Sequence, residues 1–220
     1  MRPPLALLVA AGLALAGCGA AGGGGGGTHV GAGRPAAGHA AAGPVDMPVV
    51  TPAVRPLEIA GAPPAPGSVT GSGAAAPVRV RIPAIGVDSG LARLGLNPDG
   101  TIQVPPDSGE AGWYANGPAP GQPGPAVILG HLDSYTGPAV FYRLSALKPG
   151  DELRIGRDDG SELRFTVVRL ATFPVDGFPT SEVYGVTSEP ALRLITCSGS
   201  FDLAQRRYQS NVVVFAALAV

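Results

Sequence analysis

The sequence predicts an all-β domain in residues 78–220, folded as a closed β-barrel of about eight strands with short helices. Short runs of apolar and β-branched residues recur along this region, and turn-forming residues separate them. Stretches with helical spacing are few and brief. Many short strands at modest spacing with little helix are typical of a closed barrel. The region is long enough for a single hydrophobic core.

The strand pattern appears in five segments, which are residues 78–82, 126–129, 162–169, 192–196 and 212–215. The first and third segments mix apolar and charged residues in the manner of half-buried strands. The other three are denser apolar runs, which indicates central strands. Turn signals lie at 97–100, 148–151 and 158–160, where Pro, Gly, Asn and Asp cluster. Only 90–94 and 140–147 have a helix-like pattern.

Residues 1–18 have the form of a bacterial signal peptide. Arg2 precedes an apolar run over 5–15, and the run ends in Leu-Ala-Gly before Cys18. This ending resembles a lipobox, so we expect Cys18 to become a lipid-modified N-terminus. The second interpretation is an uncleaved transmembrane helix, although the run is shorter than the roughly 20 residues that span a bilayer. Both interpretations place the folded domain outside the cytoplasm, anchored at the outer face of the cell membrane.

Residues 19–77 are predicted to be a disordered tether. They consist almost entirely of Gly, Ala, Pro, Thr and Val, including six consecutive glycines at 22–27. Such a segment cannot bury enough apolar surface to offset its ordering entropy. The formal net charge of the whole chain is -1, with arginines scattered along it, so no basic stripe suggests a nucleic-acid partner.

Cysteine and histidine usage indicates thiol chemistry in the domain. With Cys18 assigned to the anchor, Cys197 is the remaining thiol and cannot form an internal disulfide. His29 and His39 fall in the tether, which leaves His131. One cysteine and one histidine are the minimum inventory for a thiol nucleophile. Zinc needs three or four ligands and calcium needs an acidic cluster, so neither a metal nor another cofactor is expected.

Both candidate residues stand where an apolar strand ends. The run 126–129 leads into Gly130 and His131, and the run 192–196 leads into Cys197, Ser198 and Gly199. Strand ends present reactive side chains at the edge of a rigid core. We expect the two glycines to leave room for the backbone of a substrate. The alternative interpretation is a buried structural cysteine and an unrelated surface histidine.

An oxyanion donor is expected on the strand that follows Cys197. Arg206 and Arg207 are adjacent, so they face opposite sides of any strand they share. Arg207 has the same parity as Gln209 and Asn211, which gives that face one charged and two neutral donors.

Three segments resemble the catalytic segments of sortases, in the family's order of His, Cys and Arg. They are GHLDS at 130–134, LITCSG at 194–199 and YQSNVVV at 208–214. The flanking segments RIPAIGV at 81–87, GWY at 112–114 and GPAVF at 137–141 are similar to class F sortases of actinobacteria. The resemblance covers essentially all of residues 78–220.

The resemblance implies a transpeptidase that cleaves a Leu-Pro-x-Thr-Gly-like sorting motif of a secreted protein. Cys197 would attack the Thr carbonyl, His131 would protonate the leaving amine, and an amine acceptor such as a cell-wall peptide would resolve the thioacyl enzyme. Class F members commonly have Arg just after the Tyr, where this chain has Gln209. Arg207 is therefore assigned to the oxyanion, with Gln209, Asn211 and Thr196 as weaker substrate-binding or oxyanion candidates.

Two rival interpretations stay open at the level of sequence. An L,D-transpeptidase is also an exported β-rich cysteine enzyme, but it typically has His and Cys close together, and Ile195 stands two places before the Cys here. A non-catalytic lipoprotein that binds a ligand and buries its cysteine is the other alternative.

Overall fold

The computed structural model describes residues 74–219, and its strands form a closed barrel. In chain order the strands are β1 (Pro77–Ile82), β2 (Val87–Leu94), β3 (Ala111–Tyr114), β4 (Gly124–Leu129), β5 (Asp133–Ser134), β6 (Gly137–Pro138), β7 (Glu152–Arg157), β8 (Glu162–Pro174), β9 (Pro190–Asp202) and β10 (Arg207–Leu218). Eight of them close the barrel in the order β1-β2-β3-β4-β9-β10-β8-β7, and β5 pairs with β6 as a separate hairpin. The predicted all-β closed barrel of about eight strands is confirmed.

Helical structure within residues 74–219 is brief, as the sequence predicts. It consists of two 3-10 turns, Pro83–Ile85 and Leu144–Ala146, and one helix, α1 (Thr180–Tyr184). The helix-like pattern at 90–94 is misleading, because these residues belong to β2 and pair in parallel with β3 from Leu91 to Leu94. Pairing with neighbouring strands has overridden a weak local preference there.

The barrel interior is filled by side chains that alternate with outward-facing ones. Val80 and Ile82 of β1 are fully buried, whereas the arginines between and beside them are exposed. On β9 and β10 the inward positions are Leu192, Leu194 and Val212, with their same-parity neighbours. This cluster fixes the barrel on which the strand ends are mounted.

A second apolar cluster covers the outer side of β4, β9 and β10. Its strand members include Leu129, Ile195 and Val213, and the segment between β8 and β9 adds Phe178, Val183 and Tyr184. As a result, β4 is buried along its full length and β9 is buried from Leu192 to Cys197. This explains why these strands read as continuous apolar runs in the sequence.

The N-terminal predictions fall outside the described residues. The signal peptide, the lipid-modified Cys18, most of the tether, and His29 and His39 all precede residue 74. Among the residues that are described, no helix has the length and apolar character that crossing a bilayer would require.

Candidate active site

His131, Cys197 and Asn211 lie at the same level, with Cys197 on β9, Asn211 on β10 and His131 two residues past the end of β4. Strands β4 and β9 are parallel, and Leu129 is paired with Ile195. Two residues further on each segment come Cys197, still within β9, and His131, just past β4, so the two residues continue the row at the same level. On the other side of β9, Cys197 is paired with Asn211 of β10. Directly paired residues share a face, with Cβ atoms about 5 Å apart.

The backbone around His131 is held by hydrogen bonds on both sides. Gly130 N–H donates to the Ile195 carbonyl at 3.1 Å, and Phe141 N–H donates to the His131 carbonyl at 2.9 Å. The imidazole Nε2 lies 2.8 Å from the carbonyl oxygen of Pro105, in the segment between β2 and β3. A carbonyl only accepts, so Nε2 carries hydrogen and donates. The free lone pair of the neutral ring is then on Nδ1.

The sequence suggested that Gly130 and Gly199 both leave room for the backbone of a substrate, but the structure does not support this for Gly130. A Cβ at position 130 would lie 2.5 Å from Cδ2 of Phe141 and 2.8 Å from Cγ1 of Val140. The space beside Gly130 is therefore filled by the protein's own side chains. Gly199 has φ of 80°, a left-handed conformation that favours glycine, where the pairing of β9 with β10 shifts register.

The Cys197 thiol is buried and protonated in this state. Cys197 is only 8% exposed and packs in the outer cluster. Burial raises the pKa of its thiol to about 12, and the negative charge of Asp133 raises this pKa further. At pH 7 about one molecule in 100,000 would hold the thiolate. The described conformation therefore stores the nucleophile in its unreactive form.

Asp133 and Tyr208 are two polar residues of the site for which no role was predicted. The Tyr208 hydroxyl donates a short hydrogen bond to Oδ2 of Asp133, which joins β10 to the segment after His131. Tyr208 also packs against the outer cluster that contains Cys197. Burial and the carboxylate of Asp133 raise the pKa of the Tyr208 phenol. Both residues fall in the GHLDS and YQSNVVV segments, so their motif positions were the available signal.

Asn211 is the most unusual residue of the row. It is fully buried, and neither Oδ1 nor Nδ2 of its side chain has a hydrogen-bond partner among the described residues. The hydroxyl of Ser198, beside the nucleophile, is also buried without a partner. Each such group normally costs stability. Unsatisfied polar atoms therefore gather next to the thiol.

The remaining predicted residues lie further from the row. Arg207 is four residues from Asn211 along β10, or about 13 Å at 3.3 Å per residue. Its Nη2 lies 3.3 Å from Oδ1 of Asp176, and its Nε donates to Oε1 of Gln205 at 2.6 Å. Gln209 is exposed and accepts a hydrogen bond from Ser200 at 2.7 Å. Thr196 is adjacent to Cys197 in the strand, so its side chain faces the barrel interior.

The donor set fits nucleophilic chemistry and offers no metal site. Within residues 74–219, no group of three His, Cys, Asp or Glu side chains is arranged to hold a metal ion. Cys197 is the only cysteine there. A thiol and an imidazole at the same level of two neighbouring segments are the groups needed to attack an acyl carbon and pass a proton to the leaving group.

Comparison with known proteins gives one family. The sequence profile of the sortase domain matches residues 80–219. No curated protein matches the chain. Solved structures with a similar fold include sortase C-1 from Actinomyces oris, at 23% identity and a TM-score of 0.51, covering 66% of this chain and 75% of that one. Sortase A from Corynebacterium diphtheriae has 18% identity and a TM-score of 0.51, covering 68% and 63% of the two chains.

Proposed function

The chain belongs to the sortase family, whose members are cysteine transpeptidases, and from that premise we propose that it is a class F sortase acting on exported proteins. Its substrate is a secreted protein with a Leu-Pro-x-Thr-Gly-like motif near the C-terminus. The second substrate is an amine, such as the free amine of a cell-wall peptide. The product is a protein joined to the cell envelope through a new amide bond.

The reaction proceeds through a thioester on Cys197. The Cys197 thiol passes its proton to Nδ1 of His131, the thiolate attacks the Thr carbonyl, the peptide C–N bond breaks, and His131 gives that proton to the leaving amine. The acceptor amine then attacks the thioester, which releases the thiol and forms the new amide bond. Arg207 is proposed to stabilise, through its positive charge, the oxyanion that develops on the carbonyl oxygen in both steps.

The observation that carries this proposal is the register of β4 against β9. With Leu129 paired to Ile195, the same step of two residues along each chain leads to His131, just past β4, and to Cys197, the last residue of the buried part of β9. The bond from Nε2 to Pro105 orients the ring and leaves Nδ1 as the atom without a hydrogen. Preorganised placement of the two groups is what lets a weak thiol act in catalysis.

The location of the enzyme is part of the proposal. Cys18 carries a lipid, and residues 19–77 connect it to the catalytic domain at the outer face of the membrane. A Gly-rich coil of about 59 residues has a root-mean-square span of roughly 40 to 45 Å, which lets the domain reach protein substrates and acceptors away from the lipid surface.

The test uses the full chain, purified in detergent and incubated with a Leu-Pro-x-Thr-Gly peptide library and an amine acceptor. Mass spectrometry should find an acyl adduct on Cys197 and products joined after Thr. Cys197→Ala, prepared in the same way, is the control. If neither adduct nor product forms and Cys197 does not react with iodoacetamide, the non-catalytic binding protein becomes the better interpretation.

A further inference from the structure

We propose that Asn211 is a catalytic residue that binds the backbone of the acyl residue under attack. The inference rests on the proposed function and deepens it. The side chain of Asn211 would donate from Nδ2 to the reacting carbonyl oxygen and accept at Oδ1 from the N–H of the same substrate residue. The ligand class is an extended peptide, recognised here through its main chain.

The first step of the argument is the unsatisfied amide. Asn211 has no exposed surface, and both polar atoms of its side chain lack a partner among the described residues. Exchanging Oδ1 and Nδ2 by rotating the amide changes nothing, since neither position has a partner. A buried amide without hydrogen bonds is costly, so it is expected to find its partners in another state of the protein.

The second step is position. Asn211 is paired with Cys197 across β9 and β10, so the two side chains leave the same face about 5 Å apart. A carbonyl carbon bonded to the sulfur of Cys197 places its oxygen within reach of a neighbour at that spacing. Gln209 lies two residues from this row and Arg207 lies four, so Asn211 is nearer to the thiol than either of the other two predicted donors on β10.

The third step is chemistry. In an extended chain the N–H and C=O of one residue point to the same side. A side-chain amide offers one donor and one acceptor side by side, which matches that pair of groups. A guanidinium has only donors, so it could bind the carbonyl oxygen but not the N–H. The amide of Asn211 therefore suits the acyl residue as a whole, independent of its side chain.

Access to the amide requires movement nearby. Phe173 of β8 is paired with Asn211, and Phe178 packs edge-on against Phe173 at 5.9 Å between ring centroids. Phe178 belongs to the segment between β8 and β9 and is not held in a strand. Its displacement would expose the row at the moment when the peptide needs it.

The test begins with Asn211→Leu, which keeps the branched shape at a larger volume and removes both polar atoms. We expect kcat with the peptide Leu-Pro-Ala-Thr-Gly to fall about 100-fold, the loss typical of one oxyanion donor. Asn211→Asp keeps the shape but places a carboxylate against the oxyanion, and we expect it to be at least as inactive. The rate of Cys197 alkylation by iodoacetamide should stay within a few-fold of the original in Asn211→Leu.

A change in the substrate tests separately the hydrogen bond that Oδ1 of Asn211 would accept from the substrate N–H. Replacing the Thr residue by its hydroxy-acid analogue turns the N–H into an ester oxygen. This should lower kcat/KM of the original enzyme about tenfold and cause no further loss in Asn211→Leu. The same replacement at the Ala position is the matched control and should affect both enzymes equally. Equal losses in both enzymes at the Thr position would overturn the proposed contact.

Thermal unfolding tests the role of Asn211 independently of the proposed function, because the melting temperature is measured without substrate turnover. Without substrate, Asn211→Leu should unfold at an equal or higher temperature than the original chain, since it removes two unsatisfied polar atoms. A lower melting temperature in both Asn211→Leu and the smaller Asn211→Val would mean that the amide has partners, such as a buried water, in the resting protein and would overturn the inference. Absence of peptide turnover by the original chain would instead count against the proposed function.

Discussion

The two sides of β9 and β10 carry different kinds of residue. The side that faces the barrel interior carries apolar residues such as Leu192, Leu194 and Val214, packed without exposure. The outer side carries Arg193, Cys197 and Asn211, all buried, and within residues 74–219 Nε of Arg193 and both polar atoms of Asn211 have no hydrogen-bond partner. The interior provides a rigid apolar frame over most of its length, whereas at the level of Cys197 both sides carry buried polar atoms without a partner among the described residues, on Thr196 inside and on Asn211 outside.

The largest expected effects are a loss of turnover from a substitution on the outer side and a loss of stability from a substitution on the interior side. Cys197→Ala should abolish peptide turnover and change the free energy of unfolding little. Leu194→Ala should lower the free energy of unfolding by about 2–5 kcal/mol, because it opens a cavity in the barrel interior. The fraction that stays folded should keep its turnover. The measurements are peptide cleavage and urea unfolding; turnover by Cys197→Ala would remove the thiol from the mechanism.

His131→Ala should reduce turnover almost to that of Cys197→Ala, because no other imidazole is present in residues 74–219. Its effect should be concentrated in kcat, since the leaving amine needs a proton in the transition state. Steady-state kinetics on the peptide checks this. A variant that kept most of the rate would show that His131 has no acid/base role.

Arg207→Ala should lower kcat about 100-fold if the guanidinium donates to the oxyanion. Arg206→Ala is the matched control, because Arg206 is exposed and lies in the turn before β10 with φ of 54°. The control should stay near the original rate. A near-normal rate in Arg207→Ala, together with a large loss in Asn211→Leu, would assign the oxyanion to the neutral amide.

The sequence predicted more of the frame than of the site. The apolar runs at 126–129 and 192–196 mark β4 and β9 because both strands are covered on two sides. The positions of His131 and Cys197 follow from where those runs end, and the parallel pairing that aligns them is a long-range feature that no local pattern encodes. The pairing of Tyr208 with Asp133 joins residues 75 apart and could not be read from spacing.

Asp133→Asn should make Cys197 react a few-fold faster with iodoacetamide near pH 8. The amide still accepts the hydrogen bond from Tyr208 but lacks the negative charge that raises the pKa of the thiol. Asp159→Asn, in the turn between β7 and β8, removes an equal charge far from the site and should leave the alkylation rate unchanged. Equal rates in all three proteins would show that burial alone sets the reactivity of the thiol.

The smallest expected effect is a loss of stability at alkaline pH that is caused by ionisation of the Cys197 thiol. Its thiol has a pKa of about 12 in the folded chain, against an ordinary value of 9.0. A raised folded pKa means that the stabilisation is complete below pH 9 and declines as the pH rises toward 12, because the unfolded chain loses the proton first. Between the original chain and Cys197→Ala, the difference in free energy of unfolding should shift by about 1.4 kcal/mol from pH 8 to pH 10. Urea unfolding with a reductant present measures this shift, and the comparison cancels the tyrosines, which both proteins share. Parallel pH profiles of the two proteins would show that the folded thiol ionises as easily as an exposed one. The outer side of β9 would then not exclude water from Cys197 in the way that its burial indicates.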